Sequence, residues 1–227
     1  MDKRISIAID GPAAAGKSTI AKKVAKLLGL VYIDTGAMYR AFTYAVLKRG
    51  IDPEDEKASC SIIPEVKIEL CEDGRVLCNG EDVTRVIREP KVSGNVSYIA
   101  SYKDIRLALV DMQRDMAKTV SVVMDGRDIG TYVLPDAEVK IFQIASVGKR
   151  AERRYIENQE KGIETSLEDV IADVRKRDYI DSHRVFAPLK KADDAIELDT
   201  SDLTIDESVE AVLKIVKEKT GREVSCR

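Results

Sequence analysis

The stretch Ile5-Ser6-Ile7-Ala8-Ile9-Asp10-Gly11-Pro12-Ala13-Ala14-Ala15-Gly16-Lys17-Ser18-Thr19 decides how the rest of the chain folds. Ile5 to Ile9 is a short, β-branched, largely apolar run of the kind that makes a buried strand. Ile20, Val24, Leu27 and Leu28 then repeat at helical spacing. Between strand and helix, Gly11 to Ser18 fits the pattern Gly, four residues, Gly-Lys-Ser, which cradles phosphate. In that setting backbone N–H groups and a helix N-terminus converge on an anion, Lys17 reaches the outer phosphates, and the Ser18 hydroxyl ligates Mg²⁺. The expected ligand is therefore a nucleoside triphosphate with its metal.

Working outward, the chain reads as one α/β domain, residues 1–227, with no composition shift to mark a linker. Val31-Tyr32-Ile33, Val120 to Met124, Val139 to Ile144 and Ala195 to Asp199 are further strands, separated mainly by helical patterns. With the first strand they predict a five-stranded parallel sheet covered by helices on both faces. From Pro64 to Thr84 the apolar period falls to two, with turns at Asp73-Gly74 and Asn79-Gly80, which predicts a small antiparallel meander inserted over residues 62–92. Helices are expected at Glu54–Ser61, Lys91–Ala100 and Lys103–Thr119. A capping box of Thr165 with Glu168 is expected to open a helix carrying Arg177, Asp181 and Arg184, and another of Thr204 with Glu207 to open the last.

The net charge of −3, with 34% charged residues of both signs, gives no electrostatic reason to expect a nucleic acid or a membrane surface as partner. No apolar run approaches the ~20 residues of a membrane span, so a cytoplasmic protein is expected. Cys60, Cys71, Cys78 and Cys226 lack zinc-site spacing and read as free thiols, though Cys71 and Cys78 have the spacing to face each other in a hairpin.

A phosphate loop alone leaves open a switch, a motor or a small-molecule kinase. No Asp is followed three residues later by Gly, and no Asn-Lys-x-Asp guanine reader is present, which argues against a GTPase switch. A motor calls for an arginine supplied by a partner, whereas this chain carries many of its own near strand ends. The single histidine, His183, lies in a charged segment and reads as solvated. An acceptor that is itself an ionised phosphate needs no general base, only positioning and neutralisation of charge by arginines. Arg150, Arg153 and Arg154 share one helical face, a pattern that in isolation reads as solvated surface.

Taken in succession, Gly11-Pro12-Ala13-Ala14-Ala15-Gly16-Lys17-Ser18-Thr19, Asp34-Thr35-Gly36-Ala37-Met38-Tyr39-Arg40, Asp125-Gly126-Arg127-Asp128-Ile129-Gly130-Thr131, and Arg177-Asp178 followed by Asp181, Arg184 and Ala187-Pro188-Leu189 resemble the motifs of the bacterial cytidylate kinases. The resemblance spans essentially the whole chain, the meander included. It implies transfer of the γ-phosphoryl group of ATP to CMP or dCMP, assisted by Mg²⁺. Gly11, Pro12, Ala13, Ala14, Ala15, Gly16, Lys17, Ser18 and Thr19 would bind ATP. Thr35, Arg40, Arg127 and Arg184 would surround the acceptor phosphate, Ser97, Arg106 and Asp128 would read cytosine, and Arg177 and Asp181 would hold the sugar hydroxyls. Arg150, Arg153 and Arg154 would belong to a lid, residues 146–165, closing over ATP; Lys17, Arg127, Arg184, Arg150 and Arg154 would be catalytic. Cytosine offers an amino donor that suits a carboxylate and ring acceptors that suit a guanidinium. Ala14 stands where many relatives carry Gly, and Thr35 where some carry Ser. A monomer acting on small molecules is expected. The alternatives are a kinase for another nucleoside monophosphate such as UMP, or a regulatory module that binds ATP without turnover.

Overall fold

The computed structural model describes residues 4–71, 73–160 and 162–222. In chain order the elements are β1 (Ser6–Asp10), α1 (Lys17–Leu28), β2 (Val31–Asp34), α2 (Thr35–Lys48), α3 (Glu56–Ser61), β3 (Ile68–Leu70), β4 (Val76–Cys78), β5 (Glu81–Asp82), α4 (Pro90–Ser93), α5 (Val96–Ile99), α6 (Lys103–Ala117), β6 (Val122–Gly126), β7 (Val139–Ile144), α7 (Val147–Glu160), α8 (Leu167–His183), β8 (Ile196–Asp199) and α9 (Ile205–Thr220). The five-stranded sheet runs β2-β6-β1-β7-β8, parallel throughout, with β1 at its centre and Asp10 opposite Gly126 on one side and Phe142 on the other.

Strand alternation explains the layers. Ile7 and Ile9 face α1 and α9, packing with Val24, Leu28, Val123, Ile141, Val212 and Val216. Ala8 points the other way, with Ile33, Val122, Met124 and Val110 of α6. A central parallel strand buried on both faces needs the unbroken apolar run that opens the chain. Each fully buried aliphatic side chain here contributes about 1.5–3 kcal/mol of transfer free energy.

The antiparallel sheet β3-β4-β5 covers α2: Met38, Phe42 and Val46 pack with Val66, Ile68, Val76 and Cys78. Its register pairs Cys78 with Ile68, while Cys71 bonds to Arg75, so Cys71 and Cys78 do not face each other. Cys60, Cys71 and Cys78 are free thiols; Cys226 lies outside the described residues.

Two sequence expectations shift. The helix expected over Lys91–Ala100 is broken into α4 and α5, because the Asn95 amide donates to the Lys91 carbonyl at 2.8 Å and competes with the helical ladder. The cap of α8 is Ser166 with Asp169, one residue beyond the expected Thr165 and Glu168, and Thr165 instead takes a bond from Asn158. Asp34 ends β2 and caps α2 directly, accepting the Ala37 N–H at 2.7 Å. The capping box of Thr204 with Glu207 is present as expected. Among the described residues no helix is long and apolar enough to cross a membrane.

Candidate active site

At the carboxyl ends of the strands lies a cleft of about 720 Å³. Of the residues expected from sequence, Ala13 to Thr19, Thr35, Arg40, Ser97, Arg106, Arg127, Asp128, Arg153, Arg154, Arg177, Asp181 and Arg184 all stand on its wall; Gly11, Pro12 and Arg150 stand behind it.

The phosphate loop is held by its surroundings. Gly11 adopts φ +151°, and a Cβ there would lie 2.0 Å from the Gln143 carbonyl oxygen, so β7 and the loop approach as closely as only glycine allows. Ala14 takes a left-handed φ of 58°, so the methyl at this position is carried in a strained backbone. α1 begins at Lys17, aiming its free N–H groups into the cleft. The Lys17 ammonium donates to the Pro12 carbonyl at 2.7 Å. Burial, and next the Arg127 guanidinium, push it down to about 7. Arg150, far from being solvated, is 4% exposed. It donates to the Ala13 and Ala145 carbonyls and forms a two-pronged pair with Asp178. Arg153 donates to the Thr200 carbonyl at 2.6 Å, and Arg154 pairs with Glu157 at 3.0 Å.

Beneath the loop, Ser18 donates to one oxygen of Asp125 and Tyr32 to the other, each at 2.8 Å. Burial, and then Asp34, raise the Asp125 carboxyl above its ordinary range. A hydroxyl beside a single carboxylate is the sparse oxygen set that Mg²⁺ accepts when phosphates and water complete its shell. No cluster of three or more His, Cys, Asp or Glu suited to a metal occurs among the described residues.

On the opposite wall the arginines are ordered by carboxylates. Asp34 holds Arg40 at 3.1 Å and has Arg88 at 3.9 Å. Thr35 spends its hydroxyl proton on the Asp125 carbonyl at 2.6 Å. Arg127 bonds to Asp181 at 2.8 Å, and Arg177 to Asp173 at 3.0 Å. Deepest of all, Asp128 receives Arg106 on one oxygen and Arg184, at 3.3 Å, on the other. Arg106 is 1% exposed and lies over the Tyr39 ring, 5.2 Å from its centre. Burial, and then Arg106, lower the Arg184 pKa. His183 is exposed and stacks on Tyr179, so it takes no part in the cleft.

A family model described as cytidylate kinase matches residues 7–218. The chain belongs to the cytidylate kinase family. Within that family, proteins named "Cytidylate kinase" from Bacillus cereus (strain ATCC 10987 / NRS 248) and Bacillus thuringiensis (strain Al Hakam) are each 55% identical over 219 residues, covering 95% of this chain and 97% of theirs. Among solved structures, an uncharacterised protein from Eubacterium ventriosum ATCC 27560 superposes with a TM-score of 0.52 at 15% identity, covering 95% of this chain and 99% of its own. A gluconokinase from Sinorhizobium meliloti 1021 gives 0.51 at 12%, covering 96% of each chain. These two likenesses concern the fold alone.

Several cleft residues of this cytidylate kinase family member escaped the sequence reading. Asp34, and Asp178 behind the cleft, sat inside quoted motifs without a role, whereas Asp125 was legible as an Asp ending an apolar strand, where phosphate-loop proteins place a carboxylate near Mg²⁺. Tyr39 likewise sat inside a quoted motif, and Arg88 and the far wall of Leu203, Thr204, Ile205 and Ser208 carried no pattern that pointed to the cleft.

Proposed function

We propose that the chain transfers the γ-phosphoryl group of ATP to CMP or dCMP, giving ADP and CDP or dCDP. The observation that carries this reading is Asp128, a buried carboxylate between two buried guanidiniums on the wall facing the phosphate loop. A carboxylate accepts from the cytosine amino group and a guanidinium donates to the ring acceptors, while uracil would set a carbonyl against the carboxylate.

ATP lies along residues 11–19, its phosphates taken by the N-terminus of α1 and Lys17, with Arg153 and the wall of Leu203 to Ser208 on the far side. Arg40, Arg127 and Thr35 receive the acceptor phosphate, Arg88 stands beside them, and Arg177 and Asp181 face the sugar. Ser97 and Arg106 complete the base site with Asp128, and Arg184 links that site to the phosphate. Arg150 serves ATP indirectly, by bracing the phosphate loop from behind, and Arg154 faces the transferring group. Ser18 and Asp125 would hold Mg²⁺, which when bound neutralises charge between the outer phosphates of ATP. The acceptor is ionised before it binds, so in-line transfer proceeds without a general base, by positioning and charge alone.

The chain is read as a single domain with the meander over 62–92 on the acceptor side and a lid over 146–165. It is also read as a cytoplasmic monomer that binds neither nucleic acid nor membrane. Coupled measurement of ADP release with CMP, dCMP, UMP and AMP tests the function. Turnover favouring CMP or dCMP is expected. A preference for UMP, or ATP binding without turnover, overturns it.

A further inference from the structure

Outside the groups that face the substrates, one buried carboxylate joins the two halves of the cleft. Asp10 ends β1 one residue before the phosphate loop, and its side chain reaches across to the turn that follows Asp128. Oδ1 accepts the Ile129 N–H at 2.8 Å and Oδ2 accepts the Gly130 N–H at 2.7 Å. Asp10 is 5% exposed, and no Lys, Arg or His nitrogen lies within 4.0 Å of it among the described residues. A carboxylate placed so deep without a cation in contact is costly to fold around, and its two hydrogen bonds, with a smaller contribution from the Lys17 charge, offset that cost. Burial pushes its carboxyl up to about 7, with the two backbone N–H bonds pulling the other way.

The turn it grips is unusual in the same place. The Asp128 carbonyl accepts both the Tyr132 and the Val133 N–H, making a wide π-type turn over Ile129–Val133. Asp128 is thus pinned by that turn on its carbonyl and by Asp10 on the next two N–H groups. Its side chain, by contrast, is drawn toward Arg106 on α6 and Arg184 at the end of α8, neither of which belongs to the sheet. Gly130 lets the strand end come this near: a Cβ there would lie 3.1 Å from Lys140 Cδ and 3.4 Å from Asp10 Oδ2.

We infer that Asp10 is a positioning residue for Asp128, registering the base-facing carboxylate to the strand that carries the phosphate loop. The inference rests on the reading of Asp128 as the group that meets the cytosine.

Asp10→Asn keeps the shape but turns an amide NH₂ toward one of two N–H donors, so one bond is lost. Hydrogen exchange at the Ile129 and Gly130 amides of the full chain is expected to speed about tenfold or more, and KM for CMP to rise about tenfold, as for a lost charge-assisted bond. KM for ATP should stay within about twofold, and on an Asp128→Asn background the added effect on CMP should vanish, since both changes act through one group. Should Asp10→Asn not fold, Gly130→Ala crowds the same contact and should raise KM for CMP with ATP unaffected. A rise in KM for ATP as large as that for CMP, or additive effects, overturns the inference. So does an Asp10→Asn enzyme with unchanged kinetics beside an impaired Asp128→Asn enzyme. An Asp128→Asn enzyme with unchanged kinetics for CMP overturns the base-site reading itself.

Discussion

Asp178 takes the Arg150 guanidinium on both carboxylate oxygens, at 3.1 and 2.6 Å, and the pair grips Ala13 from two sides: Arg150 donates to its carbonyl at 2.9 Å and Asp178 accepts its N–H at 3.4 Å. The phosphate loop is therefore braced by α7 and α8, which pack on each other through Ala151, Val170 and Val174. Asp178→Asn should weaken one charge-assisted bond of about 1.5–3 kcal/mol and release the loop. KM for ATP is expected to rise about tenfold or more with KM for CMP little changed. Steady-state kinetics with each substrate varied in turn decides this, and an equal effect on both would remove the brace from the donor side.

Lys17→Met should lower kcat by about 10²–10³, the scale of losing one preorganised electrostatic group, while leaving the fold intact. The same change has a signature in stability. The native ammonium is pushed down to about 7 by burial and then by Arg127, against 10.5 ordinarily. Between those values the unfolded chain binds the extra proton, so this group makes stability rise with pH from about 7 to 10.5. Urea titrations across that range should show the rise in the parent and a flatter profile in Lys17→Met; parallel profiles would contradict the burial argument.

Asp128→Asn should cost both specificity and stability. Arg106 and Arg184 have side chains only 1% and 2% exposed, and without the carboxylate two buried cations lose their anion. A destabilisation of about 3–5 kcal/mol is expected. In the folded variant the ratio of kcat/KM for CMP over UMP should shrink, mainly through loss with CMP, because the amide can turn to donate to uracil. An unaltered ratio would shift base recognition to Ser97 and Arg106.

Gly11→Ala and Gly50→Ala separate crowding from backbone strain. Both glycines have positive φ, but a Cβ at Gly50 meets nothing within 4 Å, whereas at Gly11 it would overlap the Gln143 carbonyl oxygen at 2.0 Å. Gly50→Ala should cost about 1–2 kcal/mol, the ordinary left-handed penalty. Gly11→Ala should cost more and also displace the phosphate loop, read as weaker ATP binding by calorimetry. Equal costs at the two sites would show that β7 yields.

Hydrogen exchange over 146–165 should slow when ATP and CMP are added together, as phosphate oxygens give Arg153 and Arg154 new partners. Unchanged exchange would count against a closing lid.

The elements that sequence revealed were those with local causes: the apolar alternation of β1, the helical stripe of α1, the Thr204 capping box. Where two local signals overlap, reading by pattern slips. Thr165-x-x-Glu168 and Ser166-x-x-Asp169 both fit a cap, and only packing of Val170 and Val174 against α7 selects the second. Asn95 broke a helix by bonding its own backbone, an outcome that helical spacing cannot register. In the cleft, the shared face of Arg150, Arg153 and Arg154 was visible, but what covers it was not, because Asp178 arrives from another helix. The grip of Asp10 on Ile129 and Gly130 spans about 120 residues of chain and depends on strand order, which no local pattern carries.

The central place of β1 has a consequence for how such a molecule can change. Between the end of β2 and the start of β6 the chain never enters the large sheet, and that one uninterrupted stretch supplies α2, the small sheet and α4 to α6, with Arg40, Arg88, Ser97 and Arg106 among them. Thr35, Arg40, Arg88, Ser97 and Arg106, half of the groups proposed to meet the acceptor, thus sit in a cassette hung between two adjacent strands, while the phosphate loop and α1, proposed to take ATP, lie outside it. On the proposed reading, a lineage that exchanged the cassette would keep the phosphate loop untouched, provided that Asp34 and Val122 kept their spacing, and would change the acceptor only together with the turn at Asp128.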